Sequence, residues 1–142
     1  MTLVSSPSHI DRETVGCIMT FKNKYLLFQR SKEKGGLWNS VAGSKKSKET
    51  TAQAIQREIK EETGLTICPT FLTTTHHEYD GQIVAYHIFV YSFSVDPTKA
   101  LVLNEESQNF GWFTLAEALK RALFEDEDFC LKLHEKMFRK SN

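Results

Sequence analysis

Between Thr50 and Gly64 the sequence writes a helix together with both of its ends. Thr50 followed by Gln53 has the form of a capping box, in which side chains and backbone satisfy each other's orphan N–H groups. Gly64 supplies the left-handed residue that stops a helix at no steric cost. The spacing predicts a helix over Thr51–Thr63, with Ala52, Ile55 and Ile59 within about 60° of each other as its apolar stripe. Such a stripe must be covered, so the remaining chain has to offer it a hydrophobic face.

The flanking segments supply that face. Thr14 to Phe21 and Tyr25 to Arg30 are apolar, β-favouring runs around the turn residues Lys22-Asn23-Lys24. Leu37 to Ala42 reads as a short strand entering Gly43. Leu65 to Tyr79 and Gln82 to Val95 read as long strands joined at Asp80-Gly81, a strong hairpin signal. Phe110 to Phe113 is a further strand, and helices are expected over Leu115–Leu123 and Asp126–Arg139. Strands before, between and after helices give an α/β chain with a mixed sheet and helices packed on it. Residues 1–12 are polar and are expected as a flexible arm, with 13–142 as one domain.

Eighteen basic residues balance eighteen acidic ones, so no global field draws the chain to nucleic acid or an anionic membrane. No run approaches the ~18 apolar residues of a membrane span. The start, MTLVSSPSHIDRET, has neither the basic region nor the apolar run of a signal peptide. Cys17, Cys68 and Cys130 are far apart and odd in number, which suits free thiols in a reducing compartment. A cytoplasmic protein, monomer or homodimer, is expected.

The predicted helix closes on REIKEETG, which gathers Glu58, Glu61 and Glu62 at its C-terminal end. Carboxylates oppose the helix dipole there, and like charges at i,i+4 repel by a few tenths of a kcal/mol. With Glu58 at zero, Glu62 lies at about 40° and Glu61 at about −60°, beside the apolar stripe rather than opposite it. Two readings follow: a solvated acidic face compensated by Arg57 and Lys60, or oxygen ligands for a hard divalent cation such as Mg²⁺, with Mn²⁺ able to substitute.

From Gly43 the chain reads a glycine, five residues, Glu49, seven residues, Arg57-Glu58, an aliphatic residue, one residue, Glu61-Glu62, one residue, then Gly64-Leu65. This 23-residue pattern resembles the Nudix box at every defining position. The hairpin before it, the two long strands after it, Trp112 and the terminal helix resemble the family in arrangement over about residues 13–140. The resemblance implies an α/β/α sandwich with a central mixed sheet and a loop–helix–loop box that binds metal and cleaves a diphosphate-containing small molecule. It implies Glu58, Glu62 and the Gly43 carbonyl as metal ligands, and Glu61 as a ligand or a base. Arg57, with Glu49, would orient the carboxylates. Glu105 and Glu106 are candidates for one more ligand, with Glu106, six residues before Trp112, preferred.

The chain departs from the family pattern at Val41-Ala42-Gly43, where many relatives carry Pro-Gly-Gly, and at Lys48, where many carry glycine. A lysine in a left-handed turn costs about 1 kcal/mol, so another loop path is expected. Lys45, Lys46 and Lys48 are either phosphate contacts or solvated loop residues. The run Leu37-Trp38-Asn39-Ser40-Val41-Ala42-Gly43-Ser44 is similar to a variant found in dihydroneopterin triphosphate and dATP pyrophosphohydrolases of the family. It implies cleavage of a nucleoside or pterin triphosphate to a monophosphate and pyrophosphate. Dinucleoside polyphosphates, nucleotide sugars or ADP-ribose are the alternative substrates, and a catalytically silent nucleotide sensor is the alternative of another class. Arg30, Tyr79, Tyr86 and Phe110 are the expected substrate contacts. His76 and His77 are adjacent in a strand and face opposite sides, so at most one could serve a site, and neither is counted among the candidates.

Overall fold

A computed structural model of the chain describes residues 2–138. Its strands are β1 (Thr2–Leu3), β2 (Arg12–Phe21), β3 (Lys24–Arg30), β4 (Trp38–Asn39) and β5 (Val41–Ser44), followed by helix α1 (Thr51–Thr63). Then come β6 (Thr70–Tyr79), β7 (Gln82–Ser92), β8 (Ser107–Phe113) and the helices α2 (Leu115–Ala118) and α3 (Glu127–Phe138). The sheet runs β1-β6-β7-β2-β3-β4, with β5 beside β2 and β8 beside β3.

Local chemistry sets the hairpins. Lys22 and Asn23 (φ 50° and 64°), and Asp80 and Gly81 (φ 53° and 78°), take the left-handed pairs that match the twist of two strands. β2 lies parallel to β7 from Arg12↔Val84 to Thr20↔Ser92. With β3 it keeps only Thr20↔Tyr25 and Phe21↔Lys24. Beyond those pairs the two strands part, and β2 bonds β5 along Thr14–Cys17 while β3 bonds β8.

Alternation along the strands builds a core on each face. Val15, Cys17, Met19, Leu26 and Phe28 pack with Ala54, Ile55 and Ile59 of α1. Ile18, Tyr25 and Leu27 face the other way, onto Ala118, Cys130 and Leu131 of α2 and α3. The mixed sheet is thus sandwiched between helices, as expected.

α1 has the expected bounds, with the Thr50–Gln53 capping box formed and Gly64 left-handed at φ 78°. Its buried stripe is rotated from the expected one: Ala52 is exposed, and Ala54, Ile55, Glu58, Ile59, Glu62 and Thr63 are buried. Two glutamates therefore lie within the buried face and only Glu61 stands outside it. The expected strand Leu37–Ala42 is broken at Ser40. The expected strand from Leu65 starts only at Thr70, past Pro69, while Leu65 and Ile67 fold onto the α1 core. β7 ends at Ser92, short of Val95, and β8 starts at Ser107, ahead of Phe110.

The helix expected over Leu115–Leu123 stops at Ala118 because the next segment is extended against β4. Trp38 N–H donates to the Ala122 carbonyl at 2.9 Å, and Phe124 N–H donates to the Trp38 carbonyl at 2.8 Å. The expected end of the last helix, Arg139, lies outside the described residues. In the segment expected as an arm, Thr2 and Leu3 pair with Glu78 and His77 of β6, while residues 5–10 carry no strand or helix.

Candidate functional site

Arg57 organises the box. Its Nε and Nη2 donate to Glu49 Oε2 and Oε1 at 2.6 and 2.9 Å, a bidentate pair. Nη1 donates to Glu58 Oε1 at 2.9 Å and reaches Glu61 Oε2 at 3.4 Å, and Nη2 also donates to the Ser44 carbonyl at 3.0 Å. One guanidinium therefore joins the loop before α1 to three carboxylates. Its hydrogen bonds, with the Lys46 N–H, hold the Glu49 carboxyl down at about 2. Glu61 is half exposed, whereas Glu58 and Glu62 are buried.

Gly43 is a glycine for a steric reason. A Cβ there would lie 2.1 Å from Glu58 Cδ and 2.2 and 2.5 Å from its two oxygens. The carboxylate occupies the space that any side chain at 43 would fill. Glu62, 2% exposed, has the harder electrostatic position. Its Oε2 has no hydrogen-bond partner, and its nearest cation, Arg30 Nη1, is 3.9 Å from Oε1. Burial first, and then the neighbouring Glu58, push its carboxyl up to about 9. Glu106 adds negative potential there while its own carboxyl is held low by Lys34, whose Nζ donates to it at 2.7 Å. Glu105 is exposed.

The donors are all oxygens, which suits a hard divalent ion. A buried carboxylate oxygen without a partner beside a second buried carboxylate is the electrostatic arrangement such an ion relieves. Among the described residues no three carboxylate, imidazole or thiol groups converge into a ready cage. Arg57 holds Glu58 and Glu61 instead. The loop before α1 takes the alternative path anticipated from Lys48, which stays out of the left-handed region. Lys45 pairs with Glu13 at 3.5 Å, and Glu13 also bonds His87 at 2.9 Å.

The four expected substrate contacts divide between the two faces of the sheet. Arg30 approaches Glu62, and Phe110 packs on Phe28, with ring centroids 6.5 Å apart, against the α1 core. Tyr79 and Tyr86 instead line a cavity of about 370 Å³ with Arg12, Asn39, Ala42 and Phe124. They do not form one pocket with Arg30 and Phe110, because residues of opposite strand parity face opposite sides. The cavity touches Ala42, the neighbour of Gly43 in the chain. Gly16 makes room for the Tyr86 hydroxyl, which would lie 2.1 Å from a Cβ at position 16. Asn39, Arg12 and Phe124 were absent from the sequence candidates. Asn39 lies inside the Trp38–Ser44 run, so its signal was present, whereas nothing local marks Arg12 or Phe124.

A family model described as the NUDIX domain matches residues 11–133, nearly the whole chain. The chain belongs to the Nudix family. Phosphatase NudJ of Escherichia coli K12 is 33% identical over 63 residues, 44% of this chain and 41% of NudJ. A Myxococcus xanthus protein named octanoyltransferase is 30% identical over 105 residues, 72% of this chain and 29% of that protein. The Nudix chain thus spans less than half the length of these two curated relatives. The crystal structure of a MutT protein from Methanosarcina mazei superposes with a TM-score of 0.76 at 20% identity, covering 95% of this chain and all of that one. At that identity the likeness speaks for the Nudix fold.

Proposed function

We propose that this Nudix chain is a Mg²⁺-dependent pyrophosphohydrolase that cleaves a nucleoside or pterin triphosphate to a monophosphate and pyrophosphate. The observation that carries this reading is the pair of buried carboxylates: Glu58 seated on Gly43, and Glu62 with one oxygen unsatisfied. A buried carboxylate without a partner is expensive, and a bound cation would reverse the sign of that cost.

In this reading Glu58, Glu62 and the Gly43 carbonyl hold the ion, with Glu106 as a further ligand and Glu61 as a ligand or base. When bound, the ion neutralises the diphosphate and lowers the pKa of an attacking water. Arg57 keeps Glu58 in place and, through Glu49 and Ser44, ties the loop to the helix. Arg30, beside Glu62, is placed to meet a phosphate oxygen. The ring of the substrate would enter the cavity of Tyr79, Tyr86 and Phe124, whose faces suit a planar heteroaromatic group.

The test is pyrophosphate release from dNTPs and dihydroneopterin triphosphate, with dinucleoside polyphosphates and ADP-ribose as controls. Glu58→Gln and Glu62→Gln should each lower Mg²⁺-dependent turnover about a hundredfold or more while retaining the thermal transition of the parent. Parent-like turnover in both variants would remove the proposed ligands from the reaction.

A further inference from the structure

The contact between Ser40 and Glu127 belongs to neither the box nor the aromatic walls of the cavity. Ser40, 2% exposed, is the residue that separates β4 from β5. On the strand side of it, Trp38 exchanges hydrogen bonds with Ala122 and Phe124 as in a ladder. The next donor is the Ser40 N–H, and there the segment opposite β4 turns into α3. Glu127, the first residue of α3, supplies the acceptor. Its Oε1 accepts the Ser40 N–H in a short bond, and its Oε2 accepts the Ser40 hydroxyl at 3.1 Å. The carboxyl is 6% exposed and forms no ion pair among the described residues. Burial, opposed by the two Ser40 bonds, pushes it up to about 7. An acid kept buried at this cost, gripping one residue with both oxygens, fixes that residue's backbone.

Next to Ser40 stands Asn39, 8% exposed and lining the cavity. Its side-chain amide is engaged by no other group among the described residues. The amide therefore offers both a donor and an acceptor to whatever enters, and its direction depends on the backbone that Ser40 anchors. We propose that Glu127 is a positioning residue for substrate recognition, whose two-pronged grip on Ser40 sets the backbone from which Asn39 presents its amide to the bound ring. This rests on the cavity being the ring site of the proposed hydrolase. Glu127 borders the same cavity, but both of its oxygens are taken by Ser40. It therefore acts on the ring through Ser40 and Asn39, away from the reacting atoms, and governs KM while leaving kcat alone.

The experiment compares Glu127→Ala, Glu127→Gln, Asn39→Ala and the double variant Asn39→Ala/Glu127→Ala. Steady-state kinetics use dATP and dihydroneopterin triphosphate. Binding of dAMP and dihydroneopterin monophosphate is measured by calorimetry on metal-free protein. Glu127→Ala should raise KM and weaken monophosphate binding about tenfold, with kcat within about twofold. Glu127→Gln should return both to within about threefold of the parent, because its amide oxygen accepts the Ser40 N–H and its amide N–H donates to the hydroxyl. The double variant should be no worse than Asn39→Ala, the non-additivity of two residues acting as one unit.

A Glu127→Gln variant as weak as Glu127→Ala overturns the proposal, since the carboxylate would then read the ring itself. Additive losses in the double variant, or a folded Glu127→Ala with parent-like KM and binding, overturn it equally. If Glu127→Ala does not fold, Ser40→Ala removes one prong: a KM raised about threefold at constant kcat supports the grip, and an unchanged KM sinks it. Absence of turnover in the parent defeats the hydrolase reading, but monophosphate binding still decides the grip. A parent that binds neither monophosphate overturns it.

Discussion

The two faces of the sheet carry the two halves of the proposed site, and they are built on opposite principles. On the α1 face, four carboxylates and one guanidinium are drawn from 14 consecutive residues, Glu49 to Glu62, and Arg57 bonds three of the four directly. On the other face, the cavity is assembled from β2, β4, β5, β6, β7, the approach to α3 and the first residue of α3, Glu127. The first half is local in sequence and strained in charge. The second is distant in sequence, with aromatic walls, a few placed polar groups and one buried acid, Glu127, held by Ser40. A site can thus concentrate its chemistry in a motif while leaving recognition to tertiary structure.

The largest effect that separates the two halves is expected from Gly43→Ala. The new Cβ would fall on the Glu58 carboxylate, the free end of a flexible side chain, so the carboxylate yields and the fold persists. Displacing a catalytic group by about 1 Å is enough for a hundredfold loss. Turnover should fall by about that much, while binding of dAMP to the metal-free protein stays within about twofold of the parent. Equal losses in both measurements would mean that the two faces are one mechanical unit.

The same contrast explains what the sequence reveals. The helix over Thr51–Thr63, its capping box and its stop are legible because each signal lies within a few residues of its effect. Glu106, expected from its offset from Trp112, lies near enough to Glu62 to raise its carboxyl. The stripe of α1 is misjudged in taking Ala52 for Ala54 and in leaving out Glu58 and Glu62, whose polarity alone argues against burial. The proposed site itself is what places acids inside a core, and hydrophobic periodicity has no term for it. Glu127 and Ser40 are 87 residues apart, and although Ser40 lies in the Leu37–Ser44 run, nothing local marks Glu127 as its partner. The short α2 is equally illegible, since residues 122–124 leave the helix only to satisfy the backbone of Trp38.

A second, smaller effect tests the charge strain of the α1 face. Burial raises the Glu62 carboxyl from its ordinary 4.5 to about 9. The native state therefore takes up a proton that the unfolded state lacks across that interval. A raised carboxyl stabilises the fold at low pH, and that contribution is lost as pH rises through the folded-state value. In metal-free protein the Glu62 contribution should decline from about pH 5 to pH 9, by at most ~1.4 kcal/mol per unit. Mg²⁺ must displace that proton to bind, so the Mg²⁺-induced rise in Tm should grow from pH 6 to pH 8. Glu62→Gln should abolish this pH dependence. A Mg²⁺ shift independent of pH in the parent would show that Glu62 is already ionised without metal.

The smallest expected effect lies on the other face, at the aromatic wall of the cavity. Tyr79 is 37% exposed and lies at the cavity mouth on the last residue of β6. Its ring contributes stacking area and little to the core, so Tyr79→Ala should cost about 1 kcal/mol of ring contact, seen as roughly a fivefold rise in KM. Neither kcat nor the pH dependence of the Mg²⁺ shift should change, because nothing in the cavity touches the acids of α1. Tyr86 is a poorer probe: its hydroxyl packs on Gly16 under β2, so its removal would open the α3 core as well as the pocket. A Tyr79→Ala variant that loses kcat while keeping KM would place this residue beside the reacting phosphate, and would join the two faces that the structure holds apart.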